Sequence, residues 1–133
     1  MRQAGLVAKL TAEPSKIHLS SALETVCFRI IQEALTNVVR HARAKHVYVE
    51  LRKRDTKLEL IIRDDGIGFD VRRAQKRASR GASFGLFGIQ ERVRLAGGQI
   101  EIKSRPKRET TIRAHFPLAS PLSPRKRGKR RSL

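Results

Sequence analysis

Cysteine is almost missing from this chain: Cys27 is the only one in 133 residues. A single cysteine rules out a disulfide framework and points to a reducing, cytoplasmic setting. Cys27 lies in a helical apolar run and reads as a small buried hydrophobe. No apolar run approaches the ~18 residues that would cross a bilayer. Residues 1–10 hold one brief apolar patch and no cleavage-like site, so they are not expected to be a secretory signal. There is no Walker A pattern and no Gly-x-Gly-x-x-Gly after a first strand, so P-loop and Rossmann nucleotide folds are excluded. No internal repeat is present. Acidic residues are scarce, twelve Asp and Glu against thirty Lys and Arg, for a formal charge of +18.

What remains is enough for one folded domain with a single core: 39% of residues are hydrophobic. The basic excess is uneven. Six cations fall in the last nine residues, and five more are Arg72, Arg73, Lys76, Arg77 and Arg80. From Ala119 onward the composition cannot bury a core, and residues 119–133 are expected to be a disordered basic tail. Such a tail attracts polyanions non-specifically. It reads either as a nucleic-acid arm or as a solubilising end, and it has no interleaved aromatic for base stacking. Residues 1–15 read as a leader or linker and residues 16–118 as the domain.

Within the domain, Lys16–Leu19 is expected as an edge strand. Ser21 and Glu24 have capping-box spacing. Leu23, Cys27, Ile30, Ile31, Ala34, Leu35 and Val38 then recur at helical period, for a helix to about Ala42. Val47–Leu51 and Leu58–Arg63 alternate and flank a turn at Asp55-Thr56, as a hairpin does. A basic aperiodic stretch, 71–83, reads as a mobile loop. A second helix is expected from Leu86 to Ala96, ended by Gly97-Gly98. Strands at Ile100–Ile102 and Thr111–Phe116 close the domain. The order implies an α+β fold, with a mixed, mostly antiparallel sheet covered by helices on one face.

Three motifs carry chemistry. The strand at Leu58–Ile62 runs into Asp64-Asp65-Gly66-Ile67-Gly68-Phe69, where glycines admit close backbone approach and a carboxylate can accept from a flat ligand. On the first helix, Glu33, Asn37, Arg40 and His41 share a polar face beside the apolar stripe. A carboxylate and a carboxamide there suit a hard cation, best Mg²⁺, which takes one or two protein oxygens plus phosphates and waters. No second His or Cys is spaced to join His41 around a transition metal. Third, Gly85-Leu86-Phe87-Gly88 opens the second helix, where free N–H groups and the helix dipole favour an anion.

In this order and spacing the motifs resemble the N, G1 and G2 boxes of the GHKL ATPase superfamily. Within it, the chain is most similar to the ATP-binding catalytic domain of two-component sensor histidine kinases of the NarX/DesK type. The resemblance covers Lys16 to Pro117 and implies a Bergerat-type two-layer α/β sandwich that binds ATP and Mg²⁺. It implies that Asn37 holds Mg²⁺ at the phosphates, with Glu33 beside it as the catalytic, polarising group. Arg40 and His41 would face the phosphates or ribose. Asp64 would accept from the adenine amine, with Gly66 and Gly68 shaping that pocket and Thr110 near the base. Gly85, Leu86 and Gly88 would offer backbone to the triphosphate under a lid formed by the basic loop.

The chain departs from the family at two positions, with Glu109 where a glycine precedes the threonine and Ser83 at the first glycine of the G2 element. In such kinases the phosphate passes to a histidine on a separate dimerising hairpin. About fifteen residues precede the first expected strand, so the expectation is a catalytic module whose acceptor domain lies elsewhere and whose response regulator is served indirectly. The expected location is the cytoplasm, as the cytoplasmic portion of a soluble or membrane-bound kinase. A serine kinase of the anti-sigma-factor type and a basic nucleic-acid-binding module are the competing functions.

Overall fold

The computed structural model describes residues 2–3, 5–73, 76 and 86–118. The tail from Ala119, and with it the expected disorder, lies outside the described residues, as do Ser83, Gly85 and most of the expected lid. The described chain forms β1 (Arg2–Gln3), β2 (Leu6–Glu13), α1 (Ser21–Asn37), β3 (His46–Arg54), β4 (Lys57–Asp64), α2 (Leu86–Leu95), β5 (Gln99–Lys103) and β6 (Thr110–Pro117). The six strands make one sheet in the order β1-β2-β3-β4-β6-β5. β2 and β3 are parallel, joined by the α1 crossover, and every other pair is antiparallel. The result is the expected mixed, mostly antiparallel α+β sandwich.

The strands bury alternate residues because their side chains alternate between faces. Val47 and Val49, then Leu58, Leu60 and Ile62, then Ile112, Ala114 and Phe116 all turn toward the helix layer. They meet Cys27, Ile30, Ala34 and Val38 of the first helix, spaced three and four apart, and Ile89 and Val93 of α2. Each fully buried Leu or Ile contributes roughly 2 kcal/mol. Cys27 is part of this core, and burial pushes its thiol up to about 11, so it packs as a hydrophobe.

Five expectations are corrected. Residues 6–13, read as part of a leader, form a strand of the sheet, and Lys16–Leu19, expected as an edge strand, form none. Pro14, lacking an N–H, follows directly on β2, and the chain then runs irregularly into the helix cap. That cap is Ser20 rather than Ser21: its Oγ accepts from Leu23 N at 3.2 Å. The helix does continue to Ala42, but residues Val38–Ala42 are a π-helical turn that ends on left-handed Arg43. Finally, the stretch read as a loop begins helically at 71–73, where Asp70 Oδ1 accepts from Arg73 N. No helix among the described residues is long and apolar enough to cross a membrane.

Candidate functional site

The polar residues singled out in the sequence gather at one end of the sandwich. Asp64 is the last residue of β4 and pairs in register with Thr110, the first residue of β6. The C-terminal end of α1 lies at this same end, because its connection to β3 brings His46 beside the Asp64-Asp65 corner.

Asp64 and Thr110 are the two buried polar residues among those described. Burial is the main cause that raises the Asp64 carboxyl above the ordinary aspartate value. The Gly66 N–H, donating to Oδ1 at 2.8 Å, opposes this, while the charges of Asp65 and Glu109 add to it. Glu109, one of the two departures from the family pattern, is thus an electrostatic neighbour of Asp64. Ser104 Oγ links Thr110 Oγ1 (2.7 Å) to the backbone N–H of Phe69 (3.0 Å), tying the glycine turn to β6.

Gly68 has φ +67°, and a Cβ there would run into the carbonyl oxygens of Arg105 and Arg108. Its glycine character is therefore required by the β5–β6 turn packed against it, which also bonds back through Lys107 N to Ile67 O. Gly88 differs, since a Cβ there would meet open space. Leu86 begins α2, and Gly85 precedes the described part.

Glu33 and Asn37 are half-buried on one face of α1, a turn apart, and among the described residues neither side chain has a partner. They are polar groups that the fold leaves unengaged beside its core. Arg40 is exposed on the π-helical turn, and His41 belongs to the same turn. No cluster of three or more His, Cys, Asp or Glu exists among the described residues.

One functional contact escaped the sequence. Asp65 Oδ1 accepts from the backbone N–H groups of both Lys45 and His46 at 2.9 Å, and Oδ2 pairs with the His46 ring at 2.8 Å. These donors, the His46 N–H foremost, hold the Asp65 carboxyl below its ordinary value. The contact clamps the glycine turn to the segment leaving α1. Only the acidic doublet signalled it, since the partners lie about twenty residues upstream.

Residues 22–120 match the family of histidine kinase-, DNA gyrase B-, and HSP90-like ATPases. The chain is 45% identical over 106 residues to an uncharacterized sensor-like histidine kinase of Chloroflexus aurantiacus, covering 79% of this chain and 18% of that protein. It is 39% identical over 98 residues to the signal transduction histidine-protein kinase/phosphatase DegS of Brevibacillus brevis, covering 74% of this chain and 24% of the relative. The chain thus spans about a fifth to a quarter of these relatives' lengths. Its fold is similar to Acinetobacter baumannii histidine kinase AdeS, with a TM-score of 0.69 at 14% identity over 88% of this chain and 56% of that one. With three quarters of its length matching one profile, this chain belongs to the histidine kinase-, DNA gyrase B-, and HSP90-like ATPase family.

Proposed function

We propose that this chain is the ATP-binding catalytic domain of a sensor histidine kinase, passing the γ-phosphate of ATP to a histidine on a separate acceptor domain in two-component signalling. The observation that carries the site is the convergence of a buried carboxylate, Asp64, with an unengaged Glu33–Asn37 pair at one end of the sandwich. The family membership and the sensor-kinase relatives support the reaction class.

In this reading Asp64, at the floor, accepts from the adenine amine with the oxygen Gly66 leaves free. Thr110 and the Gly66–Gly68 turn border the base. Asn37 offers its carboxamide oxygen to Mg²⁺, a donor that fits a cation taking most of its ligands from phosphates and water. Bound Mg²⁺ would neutralise developing charge on the phosphates. Glu33, one turn away, polarises or accepts a proton from the attacking histidine. Arg40 and His41 lie toward the phosphates, and the start of α2, with Gly85, Leu86 and Gly88, offers backbone N–H groups. The protein's work is positioning and electrostatics, since phosphoryl transfer requires little covalent help. The domain would act on the cytoplasmic side, with a response regulator receiving the phosphate afterwards.

Titration of a fluorescent ATP analogue with and without Mg²⁺ tests this. The expected result is saturable binding, at least tenfold tighter with Mg²⁺ and displaced by ATP. Binding indifferent to Mg²⁺ and lost along a steep log–log salt slope would mark a polyanion-binding module instead.

A further inference from the structure

A second cleft lies at the opposite end of the sandwich. Lys53 on its floor is seven residues along β3 from His46, roughly 23 Å at strand rise. One wall is the first two turns of α1, with Leu23 and Val26. The other is the C-terminal end of α2, with Leu95 and the Ala96 that follows it. Pro117 and Leu118, at the end of β6, complete the floor. The space measures about 710 Å³, and Leu95 stands at its lip with 75% of its surface exposed. Leu95 does not stand alone: with Leu19, Leu23, Val26 and Leu118 it lines one contiguous apolar surface, the kind that marks an interaction site.

The charged residues that line the cleft are of one sign. They are Lys53 and Arg92, and no acidic residue lines it. Glu91, the nearest acidic residue on α2, is engaged by Arg94 at 2.9–3.0 Å. The positive end of the α1 dipole opens on the same cleft.

We propose that this cleft is a docking groove for an amphipathic helix of a partner, its apolar stripe seated between α1 and α2 and its acidic flanks facing Lys53 and Arg92. Helices dock into apolar grooves through side chains at i, i+3/i+4 and i+7, and charge complementarity at the rim selects among them. The groove is separate from the nucleotide end, so occupation leaves both sites accessible together.

Three 18-residue peptides test this on the ¹⁵N-labelled chain by chemical-shift mapping at ~150 mM salt: one with leucines at helical spacing flanked by glutamates, one with lysine flanks, and a scramble of the first. The Leu/Glu peptide should saturate, with shifts centred on Leu23, Val26, Lys53, Leu95 and Leu118. The lysine peptide and the scramble should bind at least tenfold more weakly. Reversing the charges by Lys53→Glu with Arg92→Glu should invert the preference between the flanked peptides. Leu95→Asp, at an exposed position that leaves the fold intact, should weaken the Leu/Glu peptide at least tenfold. ATP-analogue affinity should change less than twofold throughout. Equal binding of the scramble, shifts elsewhere on the protein, competition with the nucleotide, or no binding at millimolar peptide would each overturn the groove.

Discussion

Asp64 and Asp65 are neighbours whose surroundings push their carboxyls in opposite directions. Burial raises the first, and three donors lower the second. The linkage signs differ accordingly. Above the ordinary aspartate value the unfolded chain has lost the Asp64 proton that the folded state still holds, so this group's contribution falls as pH rises through that window. Asp65 contributes above the ordinary value and loses its contribution as pH falls through its lowered folded value. Asp64→Asn should therefore flatten the first slope and leave stability at neutral pH equal or higher, read by urea unfolding at several pH values. The same substitution should erode discrimination against GTP. Guanine presents an oxygen where adenine presents an amine, and an unpaired buried acceptor costs roughly 1–3 kcal/mol, or about fivefold to 150-fold in affinity. Competition assays should show that preference in the wild type and its loss in Asp64→Asn; equal competition in both would remove Asp64 from the base pocket. Asn37→Ala carries the complementary expectation. Its side chain has no partner among the described residues, so melting should stay near wild type while Mg²⁺-dependent tightening of nucleotide disappears. An unfolded variant would make Asn37 a packing residue.

At the scale of elements, the glycine turn is held from two sides, by the Asp65 clamp and by the β5–β6 turn behind Gly68. Gly68→Ala brings both a positive φ and a collision with two backbone carbonyls, neither of which a small rotation relieves. A loss of about 2 kcal/mol or more is expected, lowering Tm by roughly 10 °C. A melting curve unchanged from wild type would mean that the turn shifts freely. The β3–β4 hairpin was legible because its alternation and its Asp55-Thr56 turn are local, and α2 because Gly97, at φ +77°, ends it as a glycine should. β2 was not read, although Ala8, Leu10 and Ala12 do alternate with Lys9, Thr11 and Glu13. Its face is only half covered, Leu10 being 67% exposed, and its partner is parallel and beyond a helix, so no turn announces it. Asp64, Glu33 and Asn37 were legible as polar residues at strand end and helix face. The Asp65–His46 contact was not, because a side-chain-to-backbone clamp leaves no period in the sequence.

For the whole molecule, the question is where phosphate goes. His18 is exposed in the irregular segment before α1, His46 is held by Asp65, and His115 sits half-buried on β6 with Nδ1 3.7 Å from Glu59. An acceptor must present a ring nitrogen in line with the γ-phosphate, on a surface that can approach the nucleotide end. His115 is near the far end of its strand, and His46 is tied down by the same carboxylate that shapes the turn. His41, on the π-helical turn at the nucleotide face, is read as a binding group and not as an acceptor. Radiolabelled ATP should therefore leave these 133 residues almost unlabelled. Adding a cognate helical hairpin that bears a histidine should produce an acid-labile, base-stable phosphate on that partner, and Glu33→Gln should lower the rate at least a hundredfold while nucleotide still binds. Stoichiometric labelling of the chain at one of its own histidines would relocate the acceptor. Transfer to a partner's serine, by contrast, would assign the domain to the anti-sigma-factor kinases, whose members share this sandwich and differ in the group they present to it.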